Sequence, residues 1–424
     1  MPLNEESVDL TNVDIQQCPF PAYKTLRNEA PVYKDPKTGF FIITKYEDIR
    51  NVLTDTKNFS NTLGAAGQQA EANLNSDHVE KGIQLFREKG WVPAATLAGR
   101  DNPNHKQMRS VFDELFGPKK IKELEPEIEQ LAYSLITKFL SDGYCDWVEQ
   151  FSIPFPLMII GRQMGIKREE DLWKIKRASS AFFQRISMML SEEEELEAIE
   201  KEIEAQHYFQ PIFEELRMHP DDTLLSQLVN TEIKEWGRTL NDNELHAEMM
   251  ADTFVGGSDT TQSALAAGMK MLIEQPKVWM QLKEDPDKYL KVFVEEVVRL
   301  ECPVQSLMRQ ASNDVAIGNV NIPKGAVINV RYASANRDED IYENPDEIDL
   351  ERKKPGSHLG YGSGIHHCLG APLARRELYW GFKAVVDLME NMKFADGKND
   401  FKYHPHYLLR SLKALHIEFT PASK

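Results

Sequence analysis

The chain is poor in cysteine, with four in 424 residues, at positions 18, 145, 302 and 368. They are scattered and no two form a CxxC pair, so neither a disulfide framework nor a structural zinc site built from paired ligands is expected. Basic charge is also in deficit. Lys and Arg number 50 against 67 Asp and Glu, a formal charge of −17, which argues against a nucleic-acid binder because neutralising phosphates requires a broad basic face. No apolar run reaches the ~18 residues that span a bilayer, so no membrane anchor is expected. The opening MPLNEESVDL lacks a basic segment followed by an apolar stretch, so it does not read as a secretory signal, and a cytoplasmic protein is expected. Neither an internal repeat nor a low-complexity linker divides the sequence, and residues 1–424 read as one domain with a large core.

The sequence does hold helical periodicity over most of its middle. From Ile121 to Leu290 apolar residues recur mainly at three- and four-residue steps; in SEEEELEAIEKEIEAQ, Leu196, Ile199 and Ile203 form one stripe while glutamates fill the solvated faces. Strand signals are confined to two places. VYKDPKTGFFIITK, from Val32 to Lys45, reads as a hairpin, and SNDVAIGNVNIPKGAVINVR, from Ser312 to Arg331, reads as short strands separated by Gly and Pro-Lys-Gly turns. The expected fold is therefore mainly α with a small β portion.

The longest expected helix opens at Asn241, an N-cap with Glu244 three residues on, and closes before Pro276. Its centre is Gly256-Gly257-Ser258-Asp259-Thr260-Thr261. Glycines cost about 1 kcal/mol each in a helix interior, and Ser, Asp and Thr compete there for backbone hydrogen bonds, so this run is expected to widen or kink the helix. Two readings stand side by side. The run is either a small-residue crossing against another element or a place where a ligand nears the backbone, with Asp259 and Thr260 beside it as a proton-carrying pair.

Three glycines, two adjacent histidines and the last cysteine crowd into YGSGIHHCLGAPLARREL, from Tyr361 to Leu378. Zinc is disfavoured because adjacent side chains seldom converge on one ion, while a buried, inert thiol is the plain alternative. Against that alternative, Pro372 and the apolar spacing beyond it place Cys368 at the start of a helix, where partial positive charge favours a thiolate. Gly362, Gly364 and Gly370 allow a bare, tight loop. A thiolate, a bare loop and a distorted helix suit an axial iron ligand on one side of a macrocycle with an open oxygen site on the other.

On these residues the chain resembles the cytochrome P450 superfamily, the haem-thiolate monooxygenases, and in particular its soluble bacterial members. Tyr361 to Gly370 resembles the family's Phe-Gly-x-Gly-x-His-x-Cys-x-Gly loop, with Tyr361 in place of Phe; Gly256 to Thr261 resembles its oxygen-binding helix motif. Glu296 and Arg299 resemble its Glu-x-x-Arg, with Arg352 as third member of that ion network.

The resemblance implies a long central helix over haem b, with the Cys368 thiolate as axial iron ligand. It implies that Gly257 approaches the cofactor, that Asp259 and Thr260 deliver protons, and that His105, Arg109, Arg309 and His366 bind the propionates. It implies one oxygen atom of O2 inserted into a hydrophobic molecule (terpenoid, steroid or fatty-acid-like) by hydroxylation, epoxidation or oxidative dealkylation. By the same analogy the pocket draws on Asn73 to Thr96, Phe182 to Met189, Phe254, Val255, Val304 to Leu307, and Tyr407 to Leu409, which includes Leu408. Only 56 residues follow Cys368, so electrons are expected from an iron-sulfur ferredoxin and its reductase, received at Lys106, Lys119, Lys120, Arg375 and Arg376. A peroxide-driven peroxygenase and a non-catalytic haem sensor or carrier are the rival readings.

Overall fold

The computed structural model describes residues 3–62 and 76–422. Its helices, in chain order, include α1 (Tyr46–Thr54), α2 (Asn104–Leu115), α3 (Pro118–Leu140), α4 (Pro154–Gln163), α5 (Glu169–Arg185) and α6 (Glu192–Met218). Next comes α7, a continuous helix with an α-helical start (Asp242–Glu248), a π-helical centre (Met249–Asp259) and an α-helical end (Thr260–Glu274). Two more frame the site, α8 (Pro286–Glu301) and α9 (Ala371–Leu388). The strands are β1 (Val32–Lys34), β2 (Phe41–Ile43), β3 (Phe59–Ser60), β4 (Tyr144–Asp146), β5 (Leu307–Ala311), β6 (Val315–Ile317), β7 (Val320–Ile322), β8 (Val327–Val330), β9 (Met389–Phe394) and β10 (His416–Pro421). The fold is mainly α with a small β portion.

The expected hairpin forms: Val32 pairs with Ile43, and the Asp35 N–H donates to the Phe40 carbonyl at 2.9 Å. It does not stand alone. β2 runs parallel to β8, so hairpin and late strands join one sheet in the order β1-β2-β8-β5-β3, while β6 and β7 make a separate hairpin. The β4-β10-β9 sheet has no counterpart in the sequence reading. Its strands are short and interrupted, and β10 pairs with β4 about 270 residues away, a partnership no local pattern encodes.

α6 begins on a full capping box between Ser191 and Glu194, and its Ile199 and Ile203 are buried against Phe86 as the stripe predicts. α7 starts on a second one: Asn241 Oδ1 accepts the Glu244 N–H at 3.0 Å, and Glu244 Oε2 accepts the Asn241 N–H at 3.0 Å. The expected widening is real. Ser258 Oγ donates to the Phe254 carbonyl at 2.6 Å, Thr260 Oγ1 to Gly256 at 2.9 Å and Ser263 Oγ to Asp259 at 2.8 Å. Hydroxyls that bond carbonyls four residues back loosen the α-helical ladder, and the helix takes π turns there.

The two readings of the glycine run now separate. A small-residue crossing does exist on α7, but at Gly268, where an added Cβ would collide with the Phe382 ring of α9. At Gly256 an added Cβ would meet only the Ala251 carbonyl oxygen, at 3.6 Å, and would project into open space. That space is the candidate site.

Candidate haem-binding site

Between the Cys368 loop and α7 lies a cavity of about 330 Å³, lined on one side by Tyr361 to Gly370 and on the other by Gly256, Gly257, Thr260 and Thr261. Each wall is positioned by a local device. Gly362 and Gly364 have φ of 69° and 71°, the left-handed region that glycine tolerates best. Gly364 is further constrained: a Cβ there would press into the Leu53 carbonyl oxygen at the end of α1. The loop closes through the Cys368 N–H, which donates to the Tyr361 carbonyl at 2.9 Å, and the His367 N–H, which donates to Gly364 at 3.1 Å.

Cys368 precedes α9, and its sulfur is open to the cavity while protein surrounds it elsewhere. Burial pushes the thiol up, and the N–H groups of Gly370 and Ala371 together with the Arg109 and Arg375 guanidiniums work against that rise. These opposing donors are what a thiolate ligand requires. Among the described residues no group of three or more His, Cys, Asp and Glu converges to hold a metal.

The cavity's edge carries two guanidiniums, and two imidazole nitrogens that lack a hydrogen-bond partner. His105 on α2 is buried and its ring lies 4.2 Å, centre to centre, from that of His366; Nε2 of each has no hydrogen-bond partner. Burial holds both imidazoles below their usual range, His366 at about 3, with His105, Arg309 and Arg109 as further causes there. Arg309 on β5 is also buried, and Arg109 donates to the His367 carbonyl at 3.0 Å and to Asp113 at 2.7 Å. Buried donors without acceptors call for a satisfying ligand. Two carboxylate arms on a flat group, held by charge-assisted bonds, fit this set. The bare Gly256 face, the left-handed glycine loop and the thiol complete the fit to a haem.

The expected ion network is assembled on α8. Arg299 and Arg352 both grip Glu296, with Nε–Oε1 distances of 2.8 Å and 2.8 Å, and the Asp349 N–H donates to Glu296 Oε2 at 3.0 Å. Arg299, fully buried, also donates to the carbonyls of Asn336, Pro345 and Glu347. Directly below the loop, Glu295 pairs with His358 at 3.0 Å and Arg375 at 2.6 Å, and the Arg375 guanidinium lies 4.3 Å from the Tyr361 ring. The Tyr361 hydroxyl has no partner, so the exchange of Phe for Tyr adds a polar group without a bond.

Four expected site residues lie elsewhere. Asp259 does not line the cavity: its carboxylate pairs with Lys176 of α5, with Ser179 Oγ at 3.5 Å. Phe254 and Val255 are buried but absent from the lining, and the Phe254 ring packs 5.8 Å from Phe209 of α6. Leu408 is buried in the core, its carbonyl accepting the Gln305 N–H at 2.8 Å. The segments Phe182 to Met189 and Tyr407 to Leu409 are likewise absent from the lining, whereas Val304 and Leu307 are present. Of the expected pocket segment Asn73 to Thr96, residues 73–75 lie outside the described residues.

The sequence reading missed three carboxylates that do line the cavity, Glu248, Asp252 and Glu377. Glu377 on α9 is buried with neither oxygen partnered, and burial lifts its carboxyl well above the usual range. In ARREL it looks like one more surface charge. Glu248 and Asp252 carry a faint signal, two acids four residues apart inside the otherwise apolar EMMADTFV.

A cysteine loop facing a widened helix across a slot with a cationic edge defines a haem-thiolate protein. A family model described as Cytochrome P450 matches residues 31–395. Cytochrome P450 YjiB of Bacillus subtilis (strain 168) is 31% identical over 389 residues, covering 88% of each chain. Among solved structures, cytochrome P450 CREJ in complex with (4-ethylphenyl) dihydrogen phosphate is 27% identical at a TM-score of 0.87, over 96% of this chain and 98% of that one. CYP109E1 from Bacillus megaterium in complex with testosterone is also 27% identical, at a TM-score of 0.78, over 94% of this chain and 99% of that one. The chain belongs to the cytochrome P450 family, and it is a monooxygenase.

Proposed function

We propose that the chain acts as one haem b domain in the cytoplasm, inserting one oxygen atom from O2 into a hydrophobic small molecule of terpenoid, steroid or fatty-acid type. The observation that carries this reading is a cavity with Cys368 on one wall and Thr260 on the other. When bound, haem supplies the activation of O2.

The chain's own residues do the rest. Cys368 would supply the thiolate that ligates the haem iron; Gly362, Gly364 and Gly370 keep side chains out of the cavity on the loop side, and His105, Arg109, Arg309 and His366 would hold the propionates. Gly256 and Gly257 leave room on the α7 wall. Thr260, its hydroxyl proton held by the Gly256 carbonyl, presents its oxygen as an acceptor that positions a proton-carrying water at the open face. Asp259 stores a proton-exchanging group behind the helix and reaches that path when its bond to Lys176 opens. Two relatives solved with an aryl phosphate and with a steroid support a hydrophobic substrate body bearing a polar group.

Electrons come from an iron-sulfur ferredoxin with its reductase. Arg375 and Arg376 are engaged by Glu295 and Glu125, and Lys120 lies 4.0 Å from Glu123, so the docking contribution falls mainly on exposed Lys106 and Lys119. Among the described residues no helix is long and apolar enough to cross a membrane.

Thr260→Ala tests the proton path. Haem content is expected to stay unchanged while product formed per electron consumed falls, by up to about 10²-fold. Unchanged coupling, measured as NAD(P)H consumed against product formed in the ferredoxin-driven reaction, overturns the assignment. Product formed as fast with peroxide alone favours the peroxygenase.

A further inference from the structure

Two carboxyl groups stand one turn apart on the cavity side of α7, ahead of the glycine pair. Glu248 is fully buried; its Oε1 accepts the Leu97 N–H at 2.6 Å, and its Oε2 has no hydrogen-bond partner although the side chain lines the cavity. Asp252 lines the same cavity, and its Oδ2 accepts the Ala98 N–H at 3.1 Å. The same cavity is also lined by the apolar Leu97, Phe112, Phe116, Val304 and Leu307.

Burial pushes the Glu248 carboxyl well above its usual range, with the nearby Asp252 adding to the rise; burial lifts Asp252 too, against the Ala98 N–H, the Thr96 side chain and Glu248 itself, so the two carboxyls are in contact with each other. Two buried carboxyls one turn apart each disfavour the other's charge. Arg100, the cation that bears on Glu248, is committed elsewhere: it binds Glu244 at 3.0 Å, and Glu244 is also held by Arg238 at 2.6 Å. A buried acceptor left unmatched costs about 1–3 kcal/mol. Polar groups on the wall of a binding cavity orient its ligand.

Resting on the monooxygenase reading, we propose that Glu248 and Asp252 are the polar anchor of the substrate pocket, selecting hydrophobic substrates that carry a hydrogen-bond donor, a hydroxyl or a protonated amine. Asp252 and Thr260 are eight residues apart on one helix, so the oxidised carbon lies on the order of 10 Å from the donor group.

The test uses the haem-loaded full chain and four probes with one C12 chain: dodecan-1-ol, protonated N,N-dimethyldodecylamine, the methyl ether of dodecanol, and dodecanoate. Affinities are read from the spin-state change of the Soret band and, independently, by calorimetry. The alcohol or the amine, or both, is expected to bind about 10- to 100-fold more tightly than the ether and the dodecanoate. Which of the two leads identifies the donor.

Glu248→Gln keeps the acceptor for Leu97 but turns the orphaned oxygen into a donor, and Asp252→Asn does the same opposite Ala98. Either variant should erase the donor preference and improve dodecanoate binding, with thermal stability and haem content retained. Equal affinities for all four probes in the unaltered protein, or a ranking unchanged in both variants, overturns the inference. A chain that takes up no haem overturns the monooxygenase reading instead, and the two failures are told apart by the absorption spectrum alone.

Discussion

Glu296→Ala is expected to lower the unfolding free energy by about 3–5 kcal/mol, measured by denaturant titration, because it strands two arginines whose salt-bridge partner among the described residues is Glu296. Arg299 would stay buried with its charge opposed only by the carbonyls of Asn336, Pro345 and Glu347. Glu296→Gln retains acceptor capacity for part of the set and should lose less. The site would feel the change, because α8 also carries Glu295, which braces His358 and Arg375 beneath the cysteine loop.

The same pair of glutamates gives the fold an acid limit. Burial pushes the Glu295 carboxyl up, but bonds from His358 and Arg375 override it and hold it at about 2, against 4.5 when exposed. Glu296 is lowered in the same sense, burial again opposed by Arg299, Arg352 and the Asp349 N–H. Groups depressed on folding stabilise fully above their unfolded pKa, and that contribution disappears as pH falls through the folded value. For Glu295 the window runs from about pH 4.5 down to about pH 2, a loss of roughly 3 kcal/mol. Unfolding followed from pH 6 downward should show this decline; in Glu295→Gln it should be shallower. A stability independent of pH below 4.5 would contradict the network.

Gly364→Val carries the second large effect. The position has φ of 71°, which costs a β-branched residue roughly 1–3 kcal/mol, and its side chain would run into the Leu53 backbone. The loop must then leave α1, and Cys368 loses its place four residues on. The expected outcome is a chain that keeps its helical circular dichroism yet binds less than a tenth of the haem. Gly318→Val is the control: it too has positive φ, at 55°, but nothing lies within 4 Å of an added Cβ, and it stands in the β6–β7 turn. Full haem uptake by Gly364→Val would contradict the close packing of this loop.

How far the sequence disclosed these features depends on how local their causes are. The apolar stripe of α6, the capping box of α7, the first hairpin and the widening at Gly256 to Thr260 are all set by neighbours a few residues apart, and all are legible. The ion network was legible only through resemblance, since Glu296 and Arg299 alone look like any surface pair, and Arg352 reaches them only after folding. Phe254 and Val255, assigned to the pocket by analogy, are buried but absent from the cavity lining, and Asp259, assigned to proton delivery, meets Lys176 of α5; none of these partners lies near them in sequence. Glu377 escaped notice because burial, not sequence neighbours, makes it unusual.

The account turns on a sulfur ligand from Cys368, and the absorption spectrum of the reduced, carbon monoxide-bound protein tests it most directly. A red-shifted Soret band in the haem-loaded chain, lost in Cys368→Ser, is the predicted result. An unshifted band in the unaltered protein, or a red-shifted band that survives the serine substitution, would contradict it.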